Sequence, residues 1–202
     1  MTEVLNKIFS EKTAHILSMI FIPPSVVLGC MAFMGYLFEA DRTNYLYILL
    51  YSFLFGFILP IAFFVFLMKR SKVSDVDARI KEERTIPYLF GISLLIIGAW
   101  IFHTMNINGY SFALWISFLI GNVSLLTINR FWKISAHAMG VGMIAGAFAA
   151  VNVAYIPALA VIVLVIGWAR LKLKCHTFSQ VFAGASLGII ISFTNINLMN
   201  NV

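Results

Sequence analysis

The stretch that decides the fold is residues 87–104, which read PYLFGISLLIIGAWIFHT. This run contains no Asp, Glu, Lys or Arg, and its length approaches the roughly 20 apolar residues that a helix needs to cross a bilayer. With it, seven apolar runs predict spans near residues 14–38, 44–68, 87–104, 110–129, 137–152, 154–170 and 180–196. The fifth and seventh runs are short and rich in small residues, so six and seven spans both stay open. The sequence therefore predicts an all-α polytopic bundle of six or seven transmembrane helices in one integral membrane domain, residues 1–202.

The composition also indicates a membrane protein. The chain has 202 residues, of which 61% are hydrophobic and 11% are charged, whereas soluble domains have about 45–50% apolar and about 25% charged residues. This excludes a disordered chain, a secreted disulfide scaffold and a nucleic-acid module. The two cysteines, Cys30 and Cys175, lie far apart and form no metal-binding pattern. Pro23, Pro24 and Pro60 are expected to kink the first two spans.

The basic residues are distributed unequally between the two sides of the predicted bundle. The net charge is +6, and of the 14 Lys and Arg residues all except Arg42 fall on the side that carries the N-terminus. The positive-inside rule places that side in the cytoplasm, so the basic balance needs no nucleic-acid partner. We expect a multi-pass protein of the inner (cell) membrane.

The acidic residues limit the metal chemistry that the chain can support. None of the eight Asp and Glu residues lies beyond Glu83. Because Mg²⁺ and Ca²⁺ need several oxygen ligands, a metal site built from the later helices is excluded. Zinc has no better pattern, since Cys175 and His176 are adjacent and geometrically poor as a ligand pair. We therefore expect no metal and no cofactor.

Three polar clusters interrupt the apolar pattern, all on the predicted cytoplasmic side and each directly before an apolar helix. They read SDVDARIKEERTIP (74–87), NRFWKISAHAMG (129–140) and ARLKLKCHTFSQVFAG (169–184). Cations and histidines at helix N-termini favour anions, because the free backbone N–H groups and the helix dipole add to their charge. If the three clusters converge, they predict a phosphate pocket.

The third cluster has a spacing that suits nucleophilic catalysis. His176 and Gln180 are four residues apart, so both side chains can lie on one helical face. The Gln180 carbonyl could accept a hydrogen bond from one ring nitrogen of His176, which would leave the other nitrogen free to attack.

Glycine pairs follow both histidine clusters. Gly142 and Gly146 follow His137 in one helix, and Gly184 and Gly188 follow Gln180 in the last. These small-xxx-small patterns permit close approach of membrane helices. Such packing would bring the two histidines to the same depth, although the glycines could equally form a homodimer face.

On these residues the chain resembles the type 2 phosphatidic acid phosphatase family, which is related to the vanadium haloperoxidases. The family's motifs are K-x6-R-P, P-S-G-H and S-R-x5-H-x3-D. The third motif reads A-R-x5-H-x3-Q from Ala169 to Gln180, and the second reads I-S-A-H over residues 134–137. The first is degraded: Arg79 stands where the family Lys stands before Pro87, Ile86 replaces the Arg, and Arg84 could substitute for it.

The resemblance covers roughly residues 75–196, a phosphatase-like core preceded by two extra N-terminal spans. It implies a metal-independent enzyme that hydrolyses a lipid phosphomonoester or isoprenoid (di)phosphate in the membrane through a phosphohistidine. In this reading His176 is the nucleophile, His137 is the general acid, and Gln180 stands where the family has an orienting Asp. The residues implied as the phosphate clamp are Arg170, Ser135, Arg79 and Arg84.

Two other functions remain open. The missing third-motif Asp and the degraded first motif also suit a non-catalytic relative that binds anionic lipid. Residues 75–87 loosely resemble the first acidic motif of intramembrane prenyltransferases, but no second acidic motif follows Glu83. Strict Mg²⁺ dependence would favour that third function.

Overall fold

The computed structural model describes residues 10–200, and within this range the chain is helical and contains no strand. The helices, in chain order, are α1 (Glu11–Ile20), α2 (Pro23–Phe38), α3 (Arg42–Tyr51), a π-helical segment (Ser52–Ile58), α4 (Leu59–Lys69), a 3₁₀ turn (Lys81–Arg84), α5 (Thr85–Thr104), α6 (Gly109–Asn129), α7 (Ala136–Val151), a second 3₁₀ turn (Val153–Tyr155), α8 (Ile156–Lys172) and α9 (Phe178–Asn200).

These helices confirm the predicted fold class, an all-α bundle with several membrane-spanning helices. Five helical stretches are long and apolar enough to cross a bilayer, and the bent pair α1–α2 adds a sixth. The remaining apolar helix, α7, has 16 residues, about 24 Å at 1.5 Å per residue. It is shorter than the roughly 30 Å hydrocarbon core, in line with the expectation that this run would be a marginal span.

The expected proline kinks have different outcomes in the first two spans. Helices α1 and α2 are bent by 54°, and Pro23 and Pro24 stand at the start of α2, where a missing N–H costs least. Pro60 produces no comparable break in the described residues, since residues 42–69 form one continuous helical stretch. Pro60 lies in the first turn of α4, directly after the π-helical segment, where the altered hydrogen-bond register accommodates it.

Helices α7 and α9 run in parallel and touch backbone to backbone. A Cβ atom on Gly184 would lie 2.6 Å from the Ser135 carbonyl oxygen, and one on Gly188 would lie 2.9 Å from the Met143 nitrogen. Larger side chains at either position would force the helices apart, so the predicted close approach of the glycine faces is confirmed within one chain. The backbone N–H of Ser135 also donates to the Gln180 carbonyl at 3.3 Å, which joins the two helices near their N-terminal ends.

Candidate functional site

The three polar clusters of the sequence meet at one end of the bundle. Arg84 Nη1 donates to the Ile134 carbonyl at 3.2 Å, which ties the first cluster to the second. Lys133 Nζ donates to the Cys175 carbonyl at 3.0 Å, which ties the second to the third. Because α7 and α9 both begin at this end, their positive dipole ends point towards the same region.

A cavity of about 320 Å³ opens at this junction. Its polar end is lined by Asp77, Arg84, His137 and His176, which come from all three clusters. The rest of its wall comes from apolar positions of α1, α2, α4 and α5, from Phe55 and Gly56 in the π-helical segment, and from Asn122 of α6. The cavity is therefore amphipathic, with charge at one end and hydrocarbon surface along its length.

His176 is buried and has a defined orientation. Its Nδ1 lies 3.1 Å from Gln180 Oε1, and the same oxygen accepts the backbone N–H of Thr177 at 3.1 Å. Because the Thr177 N–H can donate only to an acceptor, the Gln180 oxygen faces this corner, so Nδ1 of His176 must carry its proton. The Nε2 atom of the neutral ring then carries no proton, and the hydrogen bond that the sequence predicts between His176 and Gln180 is present.

The surroundings of His176 keep its ring neutral. Burial, followed by the positive charges of Arg84, Arg170 and Lys133, lowers the pKa of His176 to about 3, whereas the hydrogen bond to Gln180 acts in the opposite direction. The ring is thus unprotonated throughout the physiological pH range. The same three cations that make protonation of His176 unfavourable would stabilise an anion bound next to its ring.

Arg84 lies at the polar end of the cavity with its guanidinium held by backbone carbonyls. Nε donates to the Ala78 carbonyl at 2.7 Å, Nη1 to Ile134 and Nη2 to the Asp77 carbonyl at 3.2 Å. The side chain is only 6% exposed, and no carboxylate pairs with it among residues 10–200. A buried cation that faces a cavity without a counter-ion is a strong candidate for binding an anionic ligand. Ile86, which stands where the motif resemblance implied an arginine, is exposed.

Arg170 is placed differently from the expectation. Its Nη1 forms an ion pair with Asp77 Oδ1 at 2.7 Å and also contacts the Ser18 hydroxyl. The Arg170 side chain is 1% exposed and, within the described part of the chain, is not among the residues that line the cavity. Asp77 lines the cavity in its place. A phosphate bound at Arg170 would therefore have to compete with the Asp77 carboxylate.

Asp77 lines the cavity, and Lys133 is close enough to lower the pKa of His176. The sequence indicated Asp77 only as one of four acids of the first cluster that could reach the site, with Asp75, Glu82 and Glu83, and gave Lys133 no role. Burial disfavours ionisation of Asp77, but the attraction of Arg170 and its hydrogen bond outweigh it, so the pKa of Asp77 is lowered and the carboxylate stays charged. Both residues lie inside the polar clusters 74–87 and 129–140. Membership of those clusters was the one feature of the sequence that pointed to these residues. It could not distinguish the charged side chains near the site from those at the surface.

Ser135 and Arg79 lie away from the lining of the cavity as described. The Ser135 hydroxyl caps α7 by accepting the Ala138 N–H at 3.3 Å, and the residue is fully buried. Arg79 is exposed on the connection between α4 and α5. The geometry thus brings His176, His137, Gln180 and Arg84 together, with Arg170 behind Asp77, Ser135 in a capping position and Arg79 at the surface.

Within residues 10–200 no group of three His, Cys, Asp or Glu side chains is arranged to hold a metal ion. Comparisons with family models, with curated proteins and with solved structures find no match to this chain. Any functional conclusion therefore rests on the residues of the site and on their geometry.

Proposed function

We propose that this protein is a metal-independent membrane lipid phosphatase that hydrolyses a lipid phosphomonoester or an isoprenoid (di)phosphate through a phosphohistidine. One observation carries the proposal. His137 and His176 are 39 positions apart in sequence and line the polar end of one largely apolar cavity, together with a buried arginine that has no acidic partner in the described chain. An anionic head and a hydrocarbon chain on the same molecule would satisfy both ends of that cavity.

In the first half of the proposed reaction, Nε2 of His176 attacks the phosphorus atom and a P–N bond forms. The bond between phosphorus and the leaving alkoxide breaks, and His137, protonated beside the bound phosphate, donates its proton to that oxygen. General acid catalysis of this kind contributes about 10²–10⁴-fold. The hydrogen bond from Nδ1 to Gln180 holds the ring in the tautomer that this attack needs.

In the second half, water attacks the phosphohistidine and neutral His137 takes one of its protons. The P–N bond breaks, inorganic phosphate leaves, and His137 is protonated again for the next cycle. The transferring phosphoryl group spreads negative charge over its equatorial oxygens. Arg84, Lys133 and the N-terminal ends of α7 and α9 supply positive potential there, and each preorganised donor is worth about 2.7–4 kcal/mol.

The proposed cellular placement follows from charge. The site lies at the end of the bundle that is rich in Lys and Arg, which the positive-inside rule assigns to the cytoplasm. We propose a multi-pass protein of the inner (cell) membrane with its active site on the cytoplasmic side. A cysteine introduced at exposed Arg79 should be labelled from the cytoplasmic face only, and one introduced at exposed Arg42 from the opposite face only.

The test is phosphate release by the purified protein from a panel of lipid phosphates in EDTA. Wild-type protein should be active, and His176→Ala should abolish turnover. His103→Ala provides the matched control, because His103 is exposed near the other end of α5. Radiolabelled phosphate should be trapped on wild-type protein as an acid-labile, base-stable adduct and not on His176→Ala. Loss of activity in EDTA, or full activity of His176→Ala, would refute the mechanism.

A second candidate is a non-catalytic protein that binds anionic lipid. Two observations favour it: the Asp77 carboxylate already pairs with Arg170, and Gln180 supplies no charge to stabilise an imidazolium. Under this alternative, the wild-type protein binds alkylphosphonate lipids but releases no phosphate from any substrate across the pH range. The same phosphate-release panel therefore separates the two candidates.

A further inference from the structure

The site cavity, from its charged end to its apolar end, is elongated along the bundle. On α5 and the 3₁₀ turn before it, the lining positions are Arg84, Pro87, Tyr88, Gly91 and Leu95, a spacing that places them on one face of a helix. From the first to the last is about 16 Å at 1.5 Å per residue. Along the π-helical segment and α4, the lining positions extend from Phe55 to Met68, about 20 Å on the same basis. The cavity thus reaches more than half of the roughly 30 Å hydrocarbon depth.

The width of the cavity limits what can fill it. The cavity volume of about 320 Å³ lies at the lower end of the range of about 300–1,000 Å³ that small-molecule sites span. A small volume drawn out over such a length suits a single extended hydrocarbon chain. Arg84 and the two histidines lie at one end, beside the Asp77 carboxylate, so a ligand that fills the whole cavity carries its negative charge at that terminus.

We propose that this slot is the chain subsite of the phosphatase: it takes one hydrocarbon chain of the substrate lipid, and Gly91 sets how far that chain can enter. The inference rests on the proposed function for the binding of the phosphate head group. It adds that a single chain enters the cavity and that Gly91 limits how far the chain can reach. The slot is continuous with the charged end, so phosphate and chain occupy one cavity.

Gly91 sits at the wall where a side chain would intrude. A Cβ on Gly91 would meet only the Asn122 Oδ1 atom, at the ordinary contact distance of 3.6 Å. The Asn122 amide nitrogen donates to the Phe118 carbonyl of its own helix at 3.0 Å. A larger residue at this position can therefore project into the slot without displacing backbone. Gly56, across the slot, offers no such freedom, because its Cβ would lie 2.6 Å from Val27 Cγ1.

The experiment compares hydrolysis of hexyl phosphate with that of hexadecyl phosphate by wild type, Gly91→Ala and Gly91→Leu. Gly29→Leu is the matched control, since Gly29 is exposed on α2 with no atom within 4 Å of its Cβ position. For Gly91→Leu, kcat/KM for the long chain should fall by at least about tenfold, the usual effect of changing a few methylene contacts. The ratio of kcat/KM for the long chain to that for the short chain is the readout, and thermal unfolding in detergent shows separately that the variant is folded; Gly29→Leu should leave both rates at wild-type values. Gly91→Ala should lie between wild type and Gly91→Leu.

Binding of hexadecylphosphonate and hexylphosphonate, which the enzyme cannot hydrolyse, is measured in parallel. If no lipid phosphate is turned over but the long phosphonate binds better than the short one and Gly91→Leu removes the difference, the proposed function fails and the chain subsite stands. If turnover is normal and Gly91→Leu keeps the wild-type chain preference, the subsite is refuted and the phosphatase stands. Hexadecanol competing as well as hexadecylphosphonate would also refute it, because the slot would then hold any bilayer lipid.

Discussion

The contact between α7 and α9 can be tested at Gly184, next to the candidate site. Its Cβ would lie 2.6 Å from the Ser135 carbonyl oxygen, whereas ordinary carbon–oxygen contacts are about 3.3–3.6 Å. Gly184→Ala must therefore push the two helix ends apart by about 0.7 Å, measured against the lower limit of those contacts. The obstructing atom is backbone, so no side-chain rotation can relieve the contact.

Two opposing free-energy terms set the size of the effect. Replacing a helical glycine by alanine normally stabilises a helix by about 0.5–1 kcal/mol. Overpacking a close contact costs about 1–3 kcal/mol, so Gly184→Ala should be destabilising on balance. Ser135 lies two residues before His137, and Gly184 lies four after Gln180. A misplacement of about 1 Å at a reacting centre can cost about 10²-fold in rate, so phosphate release should fall by up to that factor.

The matched control is Gly140→Ala in α7. There the nearest atom to an added Cβ is Val26 Cγ1 at 3.6 Å, so the helix-propensity gain should appear without a clash. Thermal unfolding in detergent and phosphate release are measured for both variants and wild type. The reasoning is wrong if Gly184→Ala and Gly140→Ala change the melting temperature in the same direction by similar amounts.

Three further predictions concern the charges of the site. Asp77→Asn should lower the free energy of unfolding by about 3–5 kcal/mol, because it leaves the buried guanidinium of Arg170 without its partner. The control Glu82→Gln breaks an exposed pair with Lys81 at 3.8 Å and should cost no more than about 1 kcal/mol. Equal effects of the two variants in chemical denaturation would contradict this assignment. Because the pKa of His176 is about 3 in the folded protein and near 6.5 when unfolded, the unfolded chain binds the extra proton, so stability should fall as pH drops from about 6.5 towards 3. His176→Gln should show a shallower pH dependence of melting temperature, and identical slopes would show that the ring is not held neutral. Gln180→Met should reduce phosphate release by about 10–100-fold, as loss of an orienting partner does, and a wild-type rate would mean that the hydrogen bond to Nδ1 does not position the ring.

The sequence was informative about the site where a residue pattern acts over a short stretch of chain. The predicted contact between His176 and Gln180 is present at 3.1 Å, but His176 lies in the turn two residues before α9 begins at Phe178, not on the helix itself. The glycine pairs were readable for a similar reason. A membrane helix gains nothing from burying ordinary apolar side chains against another helix rather than lipid, so repeated small residues indicate close backbone contact.

The charges were less predictable. Arg79 and Arg84 lie five residues apart in the same polar cluster, yet Arg79 is exposed whereas Arg84 is buried against three carbonyls. The motif resemblance implied that Arg170 binds phosphate, but its guanidinium pairs with Asp77, which lies 93 positions away. Such pairings depend on how an irregular connection folds across the helix ends, and no periodicity in the chain encodes that path.

The amino-acid sequence by itself determined that the chain enters a bilayer as a helical bundle, because runs of apolar residues must satisfy their backbone hydrogen bonds internally in lipid. It also determined which two helices can touch most closely. Only the tertiary structure decided which cations face the cavity, that Asp77 lies between Arg170 and that cavity, and that the π-helical segment and the third span enclose a slot beneath the histidines. Those outcomes depend on contacts between segments that are distant in sequence. The free energies of such contacts are set by packing and by the desolvation of both partners of a buried ion pair.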